Sequence, residues 1–176
     1  MIDLRRLAAW GAVAVGVVAV GYALTRRRVS PARLLDAGLA LPVIGARVTS
    51  HFGPRLDPKT GEPKNHSGLD LGGLPVGTPI YSATSGKVVL IYRDGVGPGV
   101  INGNAVHVRA PDGRLWSYLH LSRIDIPLGA VVEPGTLLGR LGSTGRSTGP
   151  HLHLQVEAPS RERLDPLTLF PPGSFA

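Results

Sequence analysis

Turn sequences built on glycine and proline break the chain at short, regular intervals: GPGVINGN, APDG, EPG and GSTGRSTGP all fall between residues 97 and 150. Across the chain 24 Gly and 16 Pro make 40 of 176 positions strong turn-makers, which suits short strands joined by tight turns and not a helical bundle. Strands are expected at 46–52, 79–83, 86–92, 104–110, 115–121, 130–133, 137–142 and 151–158, and no helix is expected among them. This spacing points to a mainly β fold, an antiparallel sheet closed as a barrel or packed as a sandwich. The polar segment 53–65, GPRLDPKTGEPKN, carries three prolines and is expected to be a long loop. Loops of that length in a compact domain commonly serve function, and this one leads straight into His66.

The N-terminal part follows other rules. Residues 7–24, LAAWGAVAVGVVAVGYAL, form an 18-residue run without a charge. As a helix it would extend roughly 27 Å, close to the thickness of a bilayer core. Arg5 and Arg6 flank one end, Arg26, Arg27 and Arg28 the other, and Trp10 and Tyr22 lie near the two interfaces. A single transmembrane helix within 1–28 is therefore expected. The competing reading, a cleaved signal with Gly21-Tyr22-Ala23 as its site, fits the length of the apolar run and its three arginines less well. Charge does not decide the orientation, because arginines stand on both sides. Residues 29–44 read as a linker with a short helix, Ser30 capping and Pro31 at its first position. The β domain is expected over 45–160, with 161–176 as a tail.

The formal net charge of +7 does not indicate nucleic-acid binding. Residues 1–34 hold six Arg and one Asp, whereas 35–176 hold thirteen Lys or Arg against eleven Asp or Glu. The basic excess surrounds the apolar run, and the β region is nearly neutral. With no Cys, disulfides and thiolate metal sites are excluded, so any metal must be held by His, Asp, Glu or backbone groups.

Two of the six histidines stand one residue apart in HLHLQVE, 151–157. On a strand His151 and His153 share a face while Leu152 and Leu154 share the other. Their spacing allows two ligands of one metal, or one ligand with a second imidazole beside a metal-activated water. A surface pair opposite a buried leucine face has the same pattern. HSGLD, 66–70, is weaker: in a straight strand His66 and Asp70 lie roughly 13 Å apart, so they meet at one ion only if the chain bends at Gly68. A third element, SYLHLS at 117–122, alternates so that Tyr118, His120 and Ser122 share one face. His51 and His107 read as strand-surface residues. Two imidazoles and one carboxylate would make a three-ligand zinc site with an open position, and a neighbouring imidazole could move protons there, a set of parts that fits amide hydrolysis.

The series TSHFGPR, TGEPKNHSGLDLGG, GTPIYSATSGKVV, GNAVHVRAPDGRLWSYLHLS and VVEPGTLLGRLGSTGRSTGPHLHLQV closely resembles the LytM/lysostaphin-type zinc endopeptidases of bacterial cell-wall metabolism, over about residues 43–158. The resemblance implies that His66, Asp70 and His153 hold Zn2+. It implies that His120 and His151 act beside the metal without binding it. It further implies hydrolysis of peptide cross-links or stem peptides of peptidoglycan; joined to the apolar run 7–24, the expectation is a membrane-anchored protein facing the cell wall in the periplasm or outside the cell. A virion membrane fits equally if the chain is phage-encoded. The alternative within the same fold is a non-catalytic wall-binding protein or amidase activator; such regulators typically lack a metal ligand, and none is missing here. Two departures stand out. His51 replaces a residue that is often basic in the family, and 53–65 lacks the tyrosine that some members place before the first ligand. Residues 129–142, GAVVEPGTLLGRLG, resemble the hairpin of biotinyl and lipoyl carriers, but the absence of lysine argues against that role.

Overall fold

The structure, a computed structural model, describes residues 38–175. Every strand pairing in it is antiparallel. In chain order the strands are β1 (Arg47–Ser50), β2 (Gly53–Leu56), β3 (Pro63–His66), β4 (Leu69–Gly72), β5 (Pro79–Tyr81), β6 (Gly86–Tyr92), β7 (Asn104–Arg109), β8 (Leu115–Leu121), β9 (Arg123–Ile124), β10 (Val131–Val132), β11 (Leu137–Arg140), β12 (His151–Glu157) and β13 (Arg163–Leu164). One four-residue helix, α1 (Gly99–Asn102), precedes β7, and a 3-10 turn covers Pro166–Leu169.

The main sheet runs β1-β4-β12-β8-β7-β6-β10, with β13 added to β12. A second sheet, β5-β11-β9, packs on one face of it, and β2 and β3 form a separate hairpin. The core between the sheets takes alternate residues of the long strands: Leu152, Leu154 and Val156 of β12, Trp116 and Tyr118 of β8, Val106 and Val108 of β7. Ile80 and Leu138 come from the smaller sheet. Tyr118, fully buried, accepts a hydrogen bond from the Ala83 N–H at 2.8 Å, so one phenol ties the two layers together. Burial pushes its hydroxyl up to about 12, which keeps it protonated.

Three expectations change. The segment 53–65 is a hairpin and not a loop, because Pro54 and Pro63 sit where a two-stranded ribbon tolerates a missing donor. Residues 99–102, inside a glycine-rich turn, close one helical turn. Residues 161–175 pack on the domain: β13 extends β12, and Phe170 lies in the core with its ring edge-on to Trp116. On the N-terminal side, Ala40 and Pro42 hydrogen-bond to Ala83 and Tyr81, and Val43 is buried. The apolar run 7–24 lies outside the described residues. Among the described residues no helix is long and apolar enough to cross a membrane.

Candidate metal centre

Strand register assembles most of the site. His153 of β12 lies directly opposite Asp70 of β4, a cross-strand pair whose side chains meet without any bend. Alternation along β12 puts His151 and His153 on the groove face, with Leu152 and Leu154 fully buried behind them. His66 arrives from the end of β3 through Ser67 and Gly68. Gly68 is required by close approach and not by an unusual backbone angle: a Cβ there would collide with the Leu154 carbonyl oxygen and lie 2.7 Å from His153 Nε2.

The three side chains are buried and form a tight triangle. His66 Nε2 lies 3.1 Å from His153 Nδ1 and 3.2 Å from Asp70 Oδ1, and His153 Nδ1 lies 2.8 Å from Asp70 Oδ1. Zinc bonds of about 2.0–2.1 Å at tetrahedral angles place ligand atoms about 3.3 Å apart, so the triangle approximates one face of such a site. No other group of three or more His, Cys, Asp or Glu side chains converges in this way among the described residues. His66 Nδ1 donates to the His51 carbonyl at 2.7 Å, which leaves Nε2 with a free lone pair facing the triangle. Burial pushes the Asp70 carboxyl up, but its close contacts with the His153 and His66 imidazoles outweigh it and hold the group well below the usual carboxylate range. Burial likewise lowers His153. Carboxylate and neutral imidazole are the protonation states that metal ligands need.

His120 and His151 stand beside the triangle, their ring centroids 4.9 Å apart. His120 Nδ1 donates to the Thr144 carbonyl and His151 Nδ1 to the Gly149 carbonyl, both at 2.8 Å. Carbonyl oxygens only accept, so each Nδ1 carries the proton and each Nε2 is left as a base. His151 Nε2 is 3.6 Å from Asp70 Oδ1. Burial first, then the neighbouring His151 imidazole, lowers His120 to about 4 and keeps it neutral near pH 7.

Simple alternation misplaces His120. The β7–β8 register slips between Asn104↔Leu121 and Val106↔Tyr118, leaving an extra residue in β8, and His120 takes φ 65°. This bulge sends Tyr118 and Leu121 into the core while Leu119 and His120 line the groove, so Tyr118 and His120 do not share a face as expected. A non-glycine residue with positive φ costs of order 1–3 kcal/mol, and such strain collects at functional sites.

The groove, about 480 Å3, is walled by the β2–β3 hairpin and by residues 146–150. Arg55 lies 3.5 Å from Asp70 Oδ2 and donates to Ser50 Oγ, so it faces the carboxylate oxygen not directed at the histidines. Nothing in the sequence marked Arg55, nor the carbonyls of His51, Thr144 and Gly149, because a carbonyl leaves no trace in residue identity. Two histidines stand apart. His51 contributes its carbonyl, and His107, expected at the surface, is buried against Tyr92 and hydrogen-bonded to Ser117 at 2.8 Å.

Residues 64–166 match the model of peptidase family M23. The chain belongs to peptidase family M23. All five site residues fall inside the matched M23 segment. Peptidoglycan DD-endopeptidase ShyC of Vibrio cholerae is 42% identical over 120 residues, covering 68% of this chain and 26% of that protein. The chain thus spans about a quarter of the length of this curated M23 relative. Among solved structures, a zinc containing peptidase from Vibrio cholerae superposes with TM-score 0.63 at 34% identity, over 73% of this chain and 39% of that one. Lysostaphin from Staphylococcus simulans superposes with TM-score 0.58 at 31% identity, over 70% of this chain and 48% of that one.

Proposed function

We propose that the chain is a zinc endopeptidase that hydrolyses peptide cross-links of bacterial peptidoglycan. The observation that carries this reading is the buried triangle of His66 Nε2, Asp70 Oδ1 and His153 Nδ1, with edges near those of a tetrahedral zinc site. Its place beside two further imidazoles, and the M23 relatives named for peptidoglycan endopeptidase activity, support the same conclusion.

His66, Asp70 and His153 would hold the zinc, which would supply Lewis-acid activation of a water molecule and of the scissile carbonyl. The remaining steps belong to the chain. His66 is aimed by the His51 carbonyl, and Arg55 keeps Asp70 turned so that Oδ1 faces the histidines. His120 and His151, each with Nδ1 anchored, present Nε2 to the groove. One accepts the water's proton and one returns a proton to the leaving amine. Among the described residues no tyrosine lines the groove, and stabilisation of the oxyanion falls to positive charge there.

The uncharged run 7–24 supports retention in a membrane by one helix, with the β domain on the side of the cell wall. The test uses full-length protein. It should hold close to one zinc per chain and release soluble peptides from sacculi, whereas His153→Ala and Asp70→Ala should lose both metal and activity. Full zinc occupancy in either variant would overturn the ligand assignment. A zinc-loaded wild type inert on sacculi of several cross-link chemistries would favour the non-catalytic alternative.

A further inference from the structure

Beyond the triangle, the groove carries a second cluster of charge. Asp57, just after β2, is buried, and its two carboxylate oxygens are committed. Oδ1 accepts the Lys59 backbone N–H at 2.9 Å, and Oδ2 accepts Lys64 Nζ at 3.1 Å and Arg146 Nη2 at 2.9 Å. Lys64 belongs to the hairpin wall and Arg146 to the opposite wall, so Asp57 bridges the groove. These bonds, the backbone donor first, hold its carboxyl at about 2.

The two cations share one oxygen and therefore stand within about 6 Å of each other. Both side chains remain substantially exposed, at 45% and 39%, although their common partner is buried. Lys59 lines the same groove and makes no ion pair among the described residues. Charge in the groove is unbalanced: four Lys or Arg side chains line it, against Asp57 and Asp70, both already engaged. Arg146 presents five donors in a planar fork and gives one to Asp57, which leaves a face suited to a carboxylate.

We infer that Lys59, Lys64 and Arg146 form an anion subsite at the wall of the groove that takes a free carboxylate of the bound peptide. Naming that anion as a substrate carboxylate rests on the peptidase reading above. The subsite selects acid-bearing stem peptides over neutral ones, and it separates this groove from one suited to uncharged glycine bridges. Of the three, Lys64 and Arg146 fall within the family match, which begins at Lys64, and Lys59 lies just before it.

Binding is the direct test, because it does not require turnover. Zinc-loaded full-length protein is titrated calorimetrically with an alanyl-isoglutamyl stem peptide bearing free carboxylates, and with the same peptide fully amidated. The acidic peptide should bind about tenfold tighter at low salt, the scale of a well-placed pair of charge contacts, and lose most of that advantage at high salt. Lys59→Gln alone should reduce the preference, and Lys59→Gln with Lys64→Gln should abolish it. Lys87→Gln, a cation outside the groove, should leave it intact. Equal binding of the two peptides, no measurable binding of the acidic one, or a preference that survives the double substitution would overturn the subsite. Sacculus digestion separates the two claims. Cutting without carboxylate preference removes the subsite and keeps the hydrolase, while preference without cutting keeps the anion site and removes the hydrolase.

Discussion

At the residue scale, the two groove histidines differ from the triangle in what they touch. His120 and His151 spend Nδ1 on backbone carbonyls and direct Nε2 at the groove, so replacing either with alanine should leave zinc content nearly unchanged. Hydrolysis should fall by roughly a hundredfold or more, the usual scale for losing a general acid–base group. Metal analysis and initial rates on the same preparations check both halves; a variant that loses its zinc contradicts the assignment. His107 makes a separate prediction about stability. Burial, reinforced by the charge of Arg163, lowers it to about 4, against about 6.5 in an unfolded chain. Between those values the unfolded chain binds a proton that the folded chain refuses, so stability is complete above pH 6.5 and declines as pH falls toward 4. The loss from this one group is about 3 kcal/mol as an upper figure. His107→Gln cannot titrate and keeps a hydrogen-bonding side chain for Ser117, so it should unfold at a lower pH than wild type. An unchanged acid-unfolding midpoint would rule His107 out.

Among the elements, β12 does the most. It pairs with β4, β8 and β13, buries Leu152, Leu154 and Val156, and carries two of the four site histidines on its other face. Leu154→Ala should cost about 2–5 kcal/mol and lower zinc affinity as well, because the core and the site share one strand. The turn from β3 to β4 gives a sharper case. Gly68→Ala introduces one carbon where the Leu154 backbone and the His153 ring already stand. Backbone cannot yield as a side-chain tip can, so the turn must lift and carry His66 away from its partners. Zinc affinity in that variant should drop far more than its thermal midpoint, and full-strength zinc binding would show that the turn has slack.

On the scale of the whole molecule, the proposed retention of the uncharged run 7–24 in a membrane makes its own prediction: full-length protein should sediment with membranes and need detergent for release. Recovery of a mature chain beginning near Leu24 would identify the run as a cleaved signal. The domain itself is organised across its layers, with a smaller sheet sealing one face of the larger and the hairpin and the 146–150 segment leaving the other face open as a groove.

Period and punctuation were enough to read the β class, most of the strands, and the shared face of His151 and His153. These are local properties: alternation depends on neighbours two residues away, and glycine and proline act on their own dihedral angles. The two ligand motifs and His120 were also legible as motifs. Their meeting was not derivable from spacing, because Asp70 and His153, 83 positions apart in sequence, meet by strand register. The hairpin at 53–65 was hidden by its prolines, and the bulge that turns His120 inward breaks the alternation used to read β8. The cationic groove wall is purely tertiary. A nearly neutral domain looks featureless in composition, yet Lys64 and Arg146 gather around one carboxylate, with Lys59 lining the same groove, because a hairpin folds over a distant loop. Charge counts add along the chain, whereas electrostatic potential adds through space, and only the fold says which charges are near.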